Sequence, residues 1–219
     1  MTANSGLAWV FDLDNTLHDA RPHIFPHLNR SMTQYIMRHL DLDEAGASAL
    51  RVHYWHTYGA TLLGLIRHHD VDPHHFLRDT HAMPDMGRMV VREAGLRHAL
   101  QRLRGRRIVF SNSPRHYAEA VLEVLGVADL IDAVYGIEGT RFRPKPDPAG
   151  FRAILRRERL RPESTIMVED LLENLVAARR IGMKTAWITR EPRRPGWLDY
   201  KAASVTDLPR LVAARGIAR

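Results

Sequence analysis

Five short apolar segments, most of them followed closely by polar side chains, constrain the fold of this chain more than any other feature. They cover residues 7–11, 106–110, 133–137, 165–168 and 184–188. Continuous apolar runs of this length are typical of strands buried on both faces of a parallel sheet. From residue 106 onward they alternate with segments of helical periodicity. This order predicts a doubly wound, Rossmann-like α/β fold with a mostly parallel sheet and right-handed crossovers.

Two of the intervening helices begin with recognisable capping signals. Ser113 before Pro114, and Asp147 before Pro148, each combine a capping side chain with a proline suited to the first helical turn. The first of these helices is expected to end near Gly126. A further helix is expected over about 171–181, and 184–188 is the last strand that the pattern indicates.

The segment between the first strand and the alternating part has a different character. Residues 18–90 show helical periodicity over 23–40, 43–58, 61–69 and 73–82 and no strand pattern. A helical insertion after the first strand is the simplest account. We therefore predict a helical cap domain, residues 18–90, inserted into an α/β core domain made of residues 1–17 and 91–219.

The composition excludes several classes of protein. The 219 residues contain no cysteine, which rules out a disulfide framework, a thiolate nucleophile and cysteine-based metal sites. No apolar run approaches the roughly 20 residues that a membrane helix needs. Residues 1–6 lack the basic and then apolar pattern of a secretory signal. A cytoplasmic location with no membrane partner is expected.

The net charge of +7, from 32 Lys and Arg against 25 Asp and Glu, has two interpretations. Arginines cluster within 102–107 and 156–161, which is compatible with nucleic-acid binding. No nucleic-acid-binding motif accompanies these clusters. We therefore favour solvated arginine-rich faces and do not expect nucleic acid as a partner.

Carboxylates follow two of the predicted strands. Asp12 and Asp14 come after the first, and Glu169 and Asp170 end the fourth. The carboxyl ends of parallel strands meet at one edge, where open α/β sheets bind ligands. Two like charges 4 Å apart at an effective dielectric constant of about 20 repel by about 4 kcal/mol. A hard cation, Mg²⁺ above all, would relieve this repulsion, although each pair alone also fits a turn or an acidic helix start.

Two further polar groups follow predicted strands of the same sheet. Ser111 and Asn112 precede a helix start, where a hydroxyl, an amide and free backbone N–H groups can bind an anion. Lys145 lies between two prolines that hold the backbone extended. A compact ammonium fixed in this way suits a phosphoryl oxygen and a neighbouring carboxylate. An ordinary serine cap and a solvated loop lysine are the alternatives.

Together these groups resemble the four motifs of the haloacid dehalogenase superfamily, over about residues 7–190. The matching residues are Asp12, Asp14, Thr16, Ser111, Lys145, Glu169 and Asp170. The insertion is similar to the cap of members that carry one between the first two motifs. More narrowly, residues 11–17, 58–64, 111–112 and 182–185 resemble the pyrimidine 5'-nucleotidase branch.

The resemblance implies a role for each matching residue. Asp12 would be the nucleophile that forms an aspartyl phosphate, and Asp14 the general acid and then the general base. The residues implied in binding phosphate or steadying the neighbouring loop are Thr16, Ser111, Asn112 and Lys145. The groups implied around Mg²⁺ are the Asp12 side chain, the Asp14 backbone carbonyl, Asp170, Glu169 through water, and Asn174 as an outer residue that orients the others.

Two residues depart from the family pattern. Many relatives have Asp and Ser where this chain has Glu169 and Leu171, so the metal shell is altered. Asp14 argues against the founding dehalogenases, which need no carboxylate at that position.

The predicted cap is less informative. Tyr54 and Tyr58, together with His18 near the cap entrance, are candidates for substrate contact, because aromatic rings stack on bases. Packing of an amphipathic helical domain explains the same residues.

The sequence as a whole predicts a Mg²⁺-dependent phosphomonoesterase. The expected partner is a small phosphorylated metabolite, with a pyrimidine nucleoside 5'-monophosphate favoured. A sugar-phosphate phosphatase or phosphomutase of the same superfamily is the second hypothesis. A basic nucleic-acid-associated protein that uses the fold as a scaffold is the non-enzymatic alternative.

Overall fold

The computed structural model describes residues 6–214. Most of the segment on which the secretory-signal interpretation rests, residues 1–5, lies outside this range. Among the described residues no helix is long and apolar enough to cross a membrane. The cytoplasmic location stays a prediction.

A six-stranded parallel sheet forms the centre of the fold. Its strands are β1 (Ala8–Phe11), β2 (Arg106–Phe110), β3 (Ala133–Tyr135), β4 (Thr165–Glu169), β5 (Lys184–Ile188) and β6 (Tyr200–Ala202). Their order is β3-β2-β1-β4-β5-β6, and every neighbouring pair is parallel. The strand order reverses at β1, which lies between β2 and β4. The doubly wound fold predicted from the sequence is confirmed.

The helices are α1 (Ile24–Leu40), α2 (Glu44–Tyr58), α3 (Thr61–His69), α4 (Pro73–Thr80), α5 (Met86–Met89), α6 (Leu96–Arg102), α7 (Arg115–Leu125), α8 (Pro148–Glu158), α9 (Leu172–Arg180) and α10 (Leu208–Ala214). Helices α1–α4 and α7–α9 lie close to the predicted positions, whereas the sequence pattern does not indicate α5 and α6. The Asp147 carboxylate accepts a hydrogen bond from the Ala149 backbone N–H at 2.8 Å, so its predicted capping role is confirmed.

The predicted Ser113 cap is wrong. Helix α7 begins one residue later than expected, with Pro114 in an extended conformation at the cap position and no side-chain cap. The Ser113 hydroxyl donates to the Asp14 carboxylate instead, at 3.2 Å. The sheet brings the Asp14 carboxylate close to Ser113, and the Ser113 hydroxyl bonds to it. The local sequence pattern assigns this hydroxyl to the start of the helix. The predicted end at Gly126 is confirmed, because Gly126 adopts the left-handed conformation there.

Strand β6 is an element that the sequence pattern does not indicate. It has three residues with a lysine in the middle, which is too short for a periodicity. Its pairing with β5, Ala186 opposite Tyr200 and Ile188 opposite Ala202, defines it. Tertiary pairing, not local sequence, makes this segment a strand.

The chain divides into two compact units, with boundaries at Asp19–Ala20 and Val90–Val91. The sheet unit has a core around the fully buried β1, with Trp187, Phe110 and Phe151 packed near it. The inserted unit holds α1–α5 around buried residues such as Tyr35 and Phe76. The sequence-based boundaries differ from this division by residues 18 and 19.

Candidate active site

The register of the central strands brings three polar positions to one edge of the sheet. Because β1 pairs with β2 on one side and with β4 on the other, the residues that follow β1 lie between the carboxyl ends of β2 and β4. The Asp12 N–H donates to the Val168 carbonyl at 2.9 Å, and the Ser111 N–H donates to the Tyr135 carbonyl at 2.9 Å. Both residues therefore extend the ladder at its carboxyl end.

Lys145 is the centre of a buried ion cluster at this edge. Its Nζ lies 2.5 Å from Asp12 Oδ1 and 2.8 Å from Glu169 Oε2, and all three side chains are almost fully buried. The Phe110 ring lies under the ammonium, 5.3 Å from Nζ to the ring centroid. The Lys145 ammonium is thus shared by Asp12, which follows β1, and Glu169, which ends the neighbouring strand β4.

The Asn112 side chain holds the Lys145 backbone in place. Its Oδ1 accepts from the Lys145 N–H at 2.8 Å, and its Nδ2 donates to the Lys145 carbonyl at 3.0 Å. The sequence predicts Asn112 as a phosphate-binding residue, but the structure uses its amide to position the lysine. Its backbone N–H stays a candidate for phosphate.

Burial dominates the electrostatics of the cluster. It raises the pKa of Asp12 to about 7, with repulsion from Glu169 adding to the effect and Lys145 opposing it. Burial also raises the pKa of Glu169 to about 7 in spite of Lys145. For Lys145, burial alone would lower the pKa, but attraction to Asp12 and Glu169 outweighs it, and the pKa is raised. The ammonium therefore stays charged while the two carboxylates compete for it.

Glu169 uses both of its carboxylate oxygens within the protein. Oε2 accepts from Lys145, and Oε1 accepts from the backbone N–H groups of Asp170 and Leu171 at 3.2 and 3.3 Å. The Leu171 side chain is exposed, so this position contributes its backbone only. The Glu169 side chain thus bonds to the backbone of the turn that follows β4.

A group of three carboxylates fits a hard metal ion. One oxygen each from Asp12, Glu169 and Asp170 lies within 4.8 Å of the others. Such an all-oxygen donor set suits Mg²⁺ better than a soft transition metal. Burial raises the pKa of Asp170 as well, and repulsion from Asp12 adds to the effect.

Asn174 is buried on α9, which begins at Leu172, two residues after Asp170. Its role as an outer residue at the metal stays a prediction.

Asp14 lies outside the ion cluster and has its own hydrogen-bond partners. Its Oδ1 accepts from the Tyr117 hydroxyl at 2.6 Å and lies 2.9 Å from His18 Nε2. Its Oδ2 accepts from the Ser113 hydroxyl at 3.2 Å. Burial alone would raise the pKa of Asp14, but His18, Tyr117 and Ser113 together lower it. The two aspartates of the first motif therefore have pKa values shifted in opposite directions.

Two of these contacts differ from what the sequence suggests. The sequence places His18 at the cap entrance, whereas its side chain has no exposed surface and contacts Asp14. Tyr117 is a site residue that sequence reasoning missed. It lies in the first turn of α7, and only the register of β1 with β2 brings that turn to Asp14.

The remaining candidates of the sheet unit are Ser111 and Thr16, both buried. Ser111 Oγ accepts from the Ser113 N–H at 3.0 Å, which leaves its own hydrogen free to donate. The Thr16 hydroxyl has no hydrogen-bond partner among residues 6–214, and its backbone N–H donates to the Leu13 carbonyl at 3.2 Å. The expected role of Thr16 in steadying the loop stays a prediction.

Two tyrosines of the inserted unit, Tyr54 and Tyr58, pair with consecutive histidines of α3. Tyr54 Oη lies 2.8 Å from His69 Nε2, and Tyr58 Oη lies 2.6 Å from His68 Nε2. Tyr54 is buried and its ring stacks on His68, with centroids 5.5 Å apart. These contacts join α2 to α3, so Tyr54 has a packing role in its own unit.

Comparison with known proteins identifies the family. The model of the haloacid dehalogenase-like hydrolases matches residues 8–182, and the chain belongs to this family. A structural relative is the HAD phosphatase from Thermococcus onnurineus, with a TM-score of 0.66, 20% identity, and coverage of 94% of this chain and 97% of the other. At this identity the likeness shows the fold alone.

Two curated relatives are named as phosphatases. The validoxylamine A 7'-phosphate phosphatase of Streptomyces hygroscopicus subsp. limoneus is 32% identical over 110 residues, 49% of this chain and 51% of the relative. The phosphoglycolate phosphatase of Rhodospirillum rubrum is 30% identical over 201 residues, 80% of this chain and 76% of the relative. The chain thus spans about half the length of the first of these relatives.

Proposed function

We propose that this chain is a Mg²⁺-dependent phosphatase that hydrolyses small phosphomonoesters through an aspartyl phosphate on Asp12. The observation that carries the proposal is the pair of differently held carboxylates at the edge of the sheet. Asp12 lies in the lysine cluster, whereas Asp14 is held by neutral or weakly basic donors. Carboxylates held by such different partners can take separate nucleophile and acid–base roles. The roles are assigned from the positions of the two residues, because the pKa of Asp12 is raised and that of Asp14 is lowered, and these directions do not by themselves favour the assignment.

In the first step a carboxylate oxygen of Asp12 attacks phosphorus, and the bond from phosphorus to the ester oxygen breaks. Asp14 gives its proton to the leaving oxygen, so the product is a neutral alcohol. Lys145 stays charged beside the nucleophile and lowers the repulsion between Asp12 and the phosphoryl group. Ser111 and the Asn112 N–H are placed to donate to phosphoryl oxygens.

In the second step Asp14 takes a proton from water as the water oxygen attacks phosphorus. The bond from phosphorus to Asp12 breaks, which restores the carboxylate and releases phosphate. Asp12 and Asp170 would hold Mg²⁺, with the Asp14 carbonyl as a further ligand and Glu169 acting through water. When bound, the ion supplies positive charge that neutralises phosphoryl oxygens and orients them for attack.

The favoured substrate is a pyrimidine nucleoside 5'-monophosphate, because residues 11–17, 58–64, 111–112 and 182–185 resemble the corresponding nucleotidase branch. Sugar phosphates or other small phosphorylated metabolites are the second candidate, since the two relatives are named for validoxylamine A 7'-phosphate and phosphoglycolate. A cytoplasmic location and the absence of nucleic-acid and membrane partners complete the proposal.

The test is a phosphate-release screen over nucleoside monophosphates and sugar phosphates, with Mg²⁺ and with EDTA. We expect turnover only with Mg²⁺ and none in Asp12→Asn. Asp41→Asn is the matched control, because Asp41 is exposed and left-handed backbone tolerates asparagine. Full activity in Asp12→Asn would remove the nucleophile from the proposal, and release of an isomeric phosphate ester would indicate a mutase.

A further inference from the structure

The hydrogen bonds to the Asp14 carboxylate are unequal between its two oxygens. Oδ1 has two partners, the Tyr117 hydroxyl at 2.6 Å and His18 Nε2 at 2.9 Å. Oδ2 accepts from the Ser113 hydroxyl, at the longer distance of 3.2 Å. The three donors come from the loop after β1, the turn after β2 and the first turn of α7, so the carboxylate is fixed from several sides.

The number of close partners decides where a proton fits. A proton on Oδ1 would compete with the Tyr117 hydroxyl and His18 Nε2 for the acceptor positions of that oxygen and would displace one of them. A serine hydroxyl both donates and accepts. It can donate to Oδ2 when the carboxylate is charged and rotate to accept when Oδ2 carries a proton. The environment therefore favours protonation of Oδ2 over Oδ1.

The His18 ring is arranged for Asp14 alone. Its Nδ1 is buried and has no hydrogen-bond partner among the described residues 6–214. Leaving a buried polar atom unpaired lowers the stability of the folded protein. A residue kept only for packing at this position would be apolar. In His18, Nδ1 is the unpaired nitrogen, and Nε2 contacts Oδ1 of Asp14.

We propose that His18 and Tyr117 are positioning residues that hold Oδ1 of Asp14 and so direct all proton transfer to Oδ2. Oδ2 gives its proton to the ester oxygen as the phosphorus–oxygen bond breaks, and later takes a proton from the attacking water. This inference rests on the proposed phosphatase function and names the atom and the two residues on which its acid–base step depends.

The experiment compares two phosphomonoesters that differ in their need for a proton. An alkyl phosphate has a basic leaving oxygen that must be protonated, whereas p-nitrophenyl phosphate releases a stable anion without help. The quantity to measure is kcat/KM for each ester, because it reports the step up to release of the leaving group. Asp14→Asn gives the reference pattern, a loss that is much larger for the alkyl ester.

Tyr117→Phe is expected to lower kcat/KM for the alkyl ester by about 10- to 100-fold, part of the roughly 10²- to 10⁴-fold that general acids contribute. The loss for p-nitrophenyl phosphate is expected to stay below about 3-fold, since little acid catalysis is needed there. Tyr35→Phe is the matched control. It removes another buried hydroxyl that lies 2.9 Å from a histidine, His75 Nδ1, within the inserted unit.

A pair of variants at His18 separates positioning from packing. His18→Gln keeps an N–H donor of similar reach, whereas His18→Leu keeps apolar volume without a donor. We expect His18→Gln to retain most of the alkyl-ester activity and His18→Leu to show the same selective loss as Tyr117→Phe. Thermal unfolding of every variant identifies any that fails to fold. The variants that do fold then test whether His18 and Tyr117 position Asp14.

The outcomes distinguish this inference from the function on which it rests. Equal losses for both esters in Tyr117→Phe and His18→Leu, with a selective loss in Asp14→Asn, would overturn the positioning roles and leave the phosphatase intact. A wild-type chain that releases phosphate from neither ester, under the conditions of the substrate screen, would overturn the proposed function itself.

Discussion

At the scale of single residues, the defining feature is one ammonium shared by two buried carboxylates. Lys145 lies within 2.8 Å of both Asp12 and Glu169, and none of the three side chains is appreciably exposed. Removal of one partner from such a buried cluster leaves an uncompensated buried charge. The resulting loss of folding stability is larger than the net stabilisation that the intact pair provides.

Lys145→Met is therefore expected to lower the free energy of unfolding by about 3–5 kcal/mol in metal-free protein. Adding Glu169→Gln to it should recover part of the loss, because one buried negative charge is removed with its partner. Urea unfolding measures both, with Lys184→Met at the start of β5 as a control that changes stability by less than about 1 kcal/mol. Equal losses in the Lys145 and Lys184 variants would contradict the shared ion pair.

Which site residues the sequence predicts depends on how their positions are determined. Asp12 and Glu169 follow from local patterns, because each lies at the end of an apolar strand. Tyr117 does not, since its contact with Asp14 joins residues 103 positions apart and requires the register of β1 with β2. The Asn112 amide likewise contacts a backbone 33 residues away.

At the scale of elements, a polar cluster joins α8 to the sheet. Glu158 at the end of α8 accepts from Arg106 of β2 and from the hydroxyl of Tyr135 of β3. Arg157 lies over the Tyr135 ring, 5.5 Å from its centroid. Burial would raise the pKa of Glu158, but the hydrogen bonds from Tyr135 and Arg106 outweigh it and lower the pKa.

This lowered pKa predicts a pH dependence of stability. A carboxyl group whose folded pKa is below its unfolded value, 4.5 for glutamate, stabilises the protein above that pH and ceases to do so as pH falls through the folded pKa. Wild type should therefore lose more stability than Glu158→Gln between pH 6 and about 3. Chemical unfolding over this range measures the difference, and parallel curves for the two proteins would refute the assignment.

The contact between α2 and α3 depends on a glycine. A Cβ on Gly64 would lie 2.1 Å from Cγ of Tyr54, closer than any real contact. We expect Gly64→Ala to lower the free energy of unfolding by about 1–3 kcal/mol, as overpacking does. Gly87→Ala in α5 is the control, because a Cβ there meets nothing within 4 Å. If both variants unfold alike, the close approach of Tyr54 is not the cause.

The elements themselves were predictable where sequence signals are local. Asp147 and Pro148 start α8 as expected, and the apolar runs correspond to β1 to β5. The role of Ser113 was not predictable, because the Asp14 carboxylate after another strand takes its hydroxyl. Strand β6 was not predictable either, because its pairing with β5 and not its local pattern defines it.

At the scale of the whole molecule, many of the arginines that give the net charge of +7 serve the fold. Arg106 pairs with Glu158, and Arg97 pairs with Asp129 at 2.6 Å. Arg107 donates to the carbonyls of three residues, Leu100, Leu103 and Leu130. Guanidinium groups occupied in this way are not free to contact phosphates, which disfavours the nucleic-acid alternative.

We therefore expect only weak binding of duplex DNA. The affinity should fall steeply with salt and be lost by about 0.2 M, as for non-specific contacts. Fluorescence anisotropy with a labelled duplex measures it in wild type and in Asp12→Asn, which should behave alike. Tight binding that persists at this salt concentration would support the nucleic-acid-associated protein instead.

The central position of β1 also sets the order in which a newly made chain becomes native. Ala8 pairs with Arg106 on one side and with Thr165 on the other. Helices α1–α4 make contacts with one another and can fold soon after they leave the ribosome. The strand that precedes them stays without partners until β2 and then β4 have been translated. The lysine cluster is therefore completed late, and a chain arrested before β4 carries Asp12 but no assembled site.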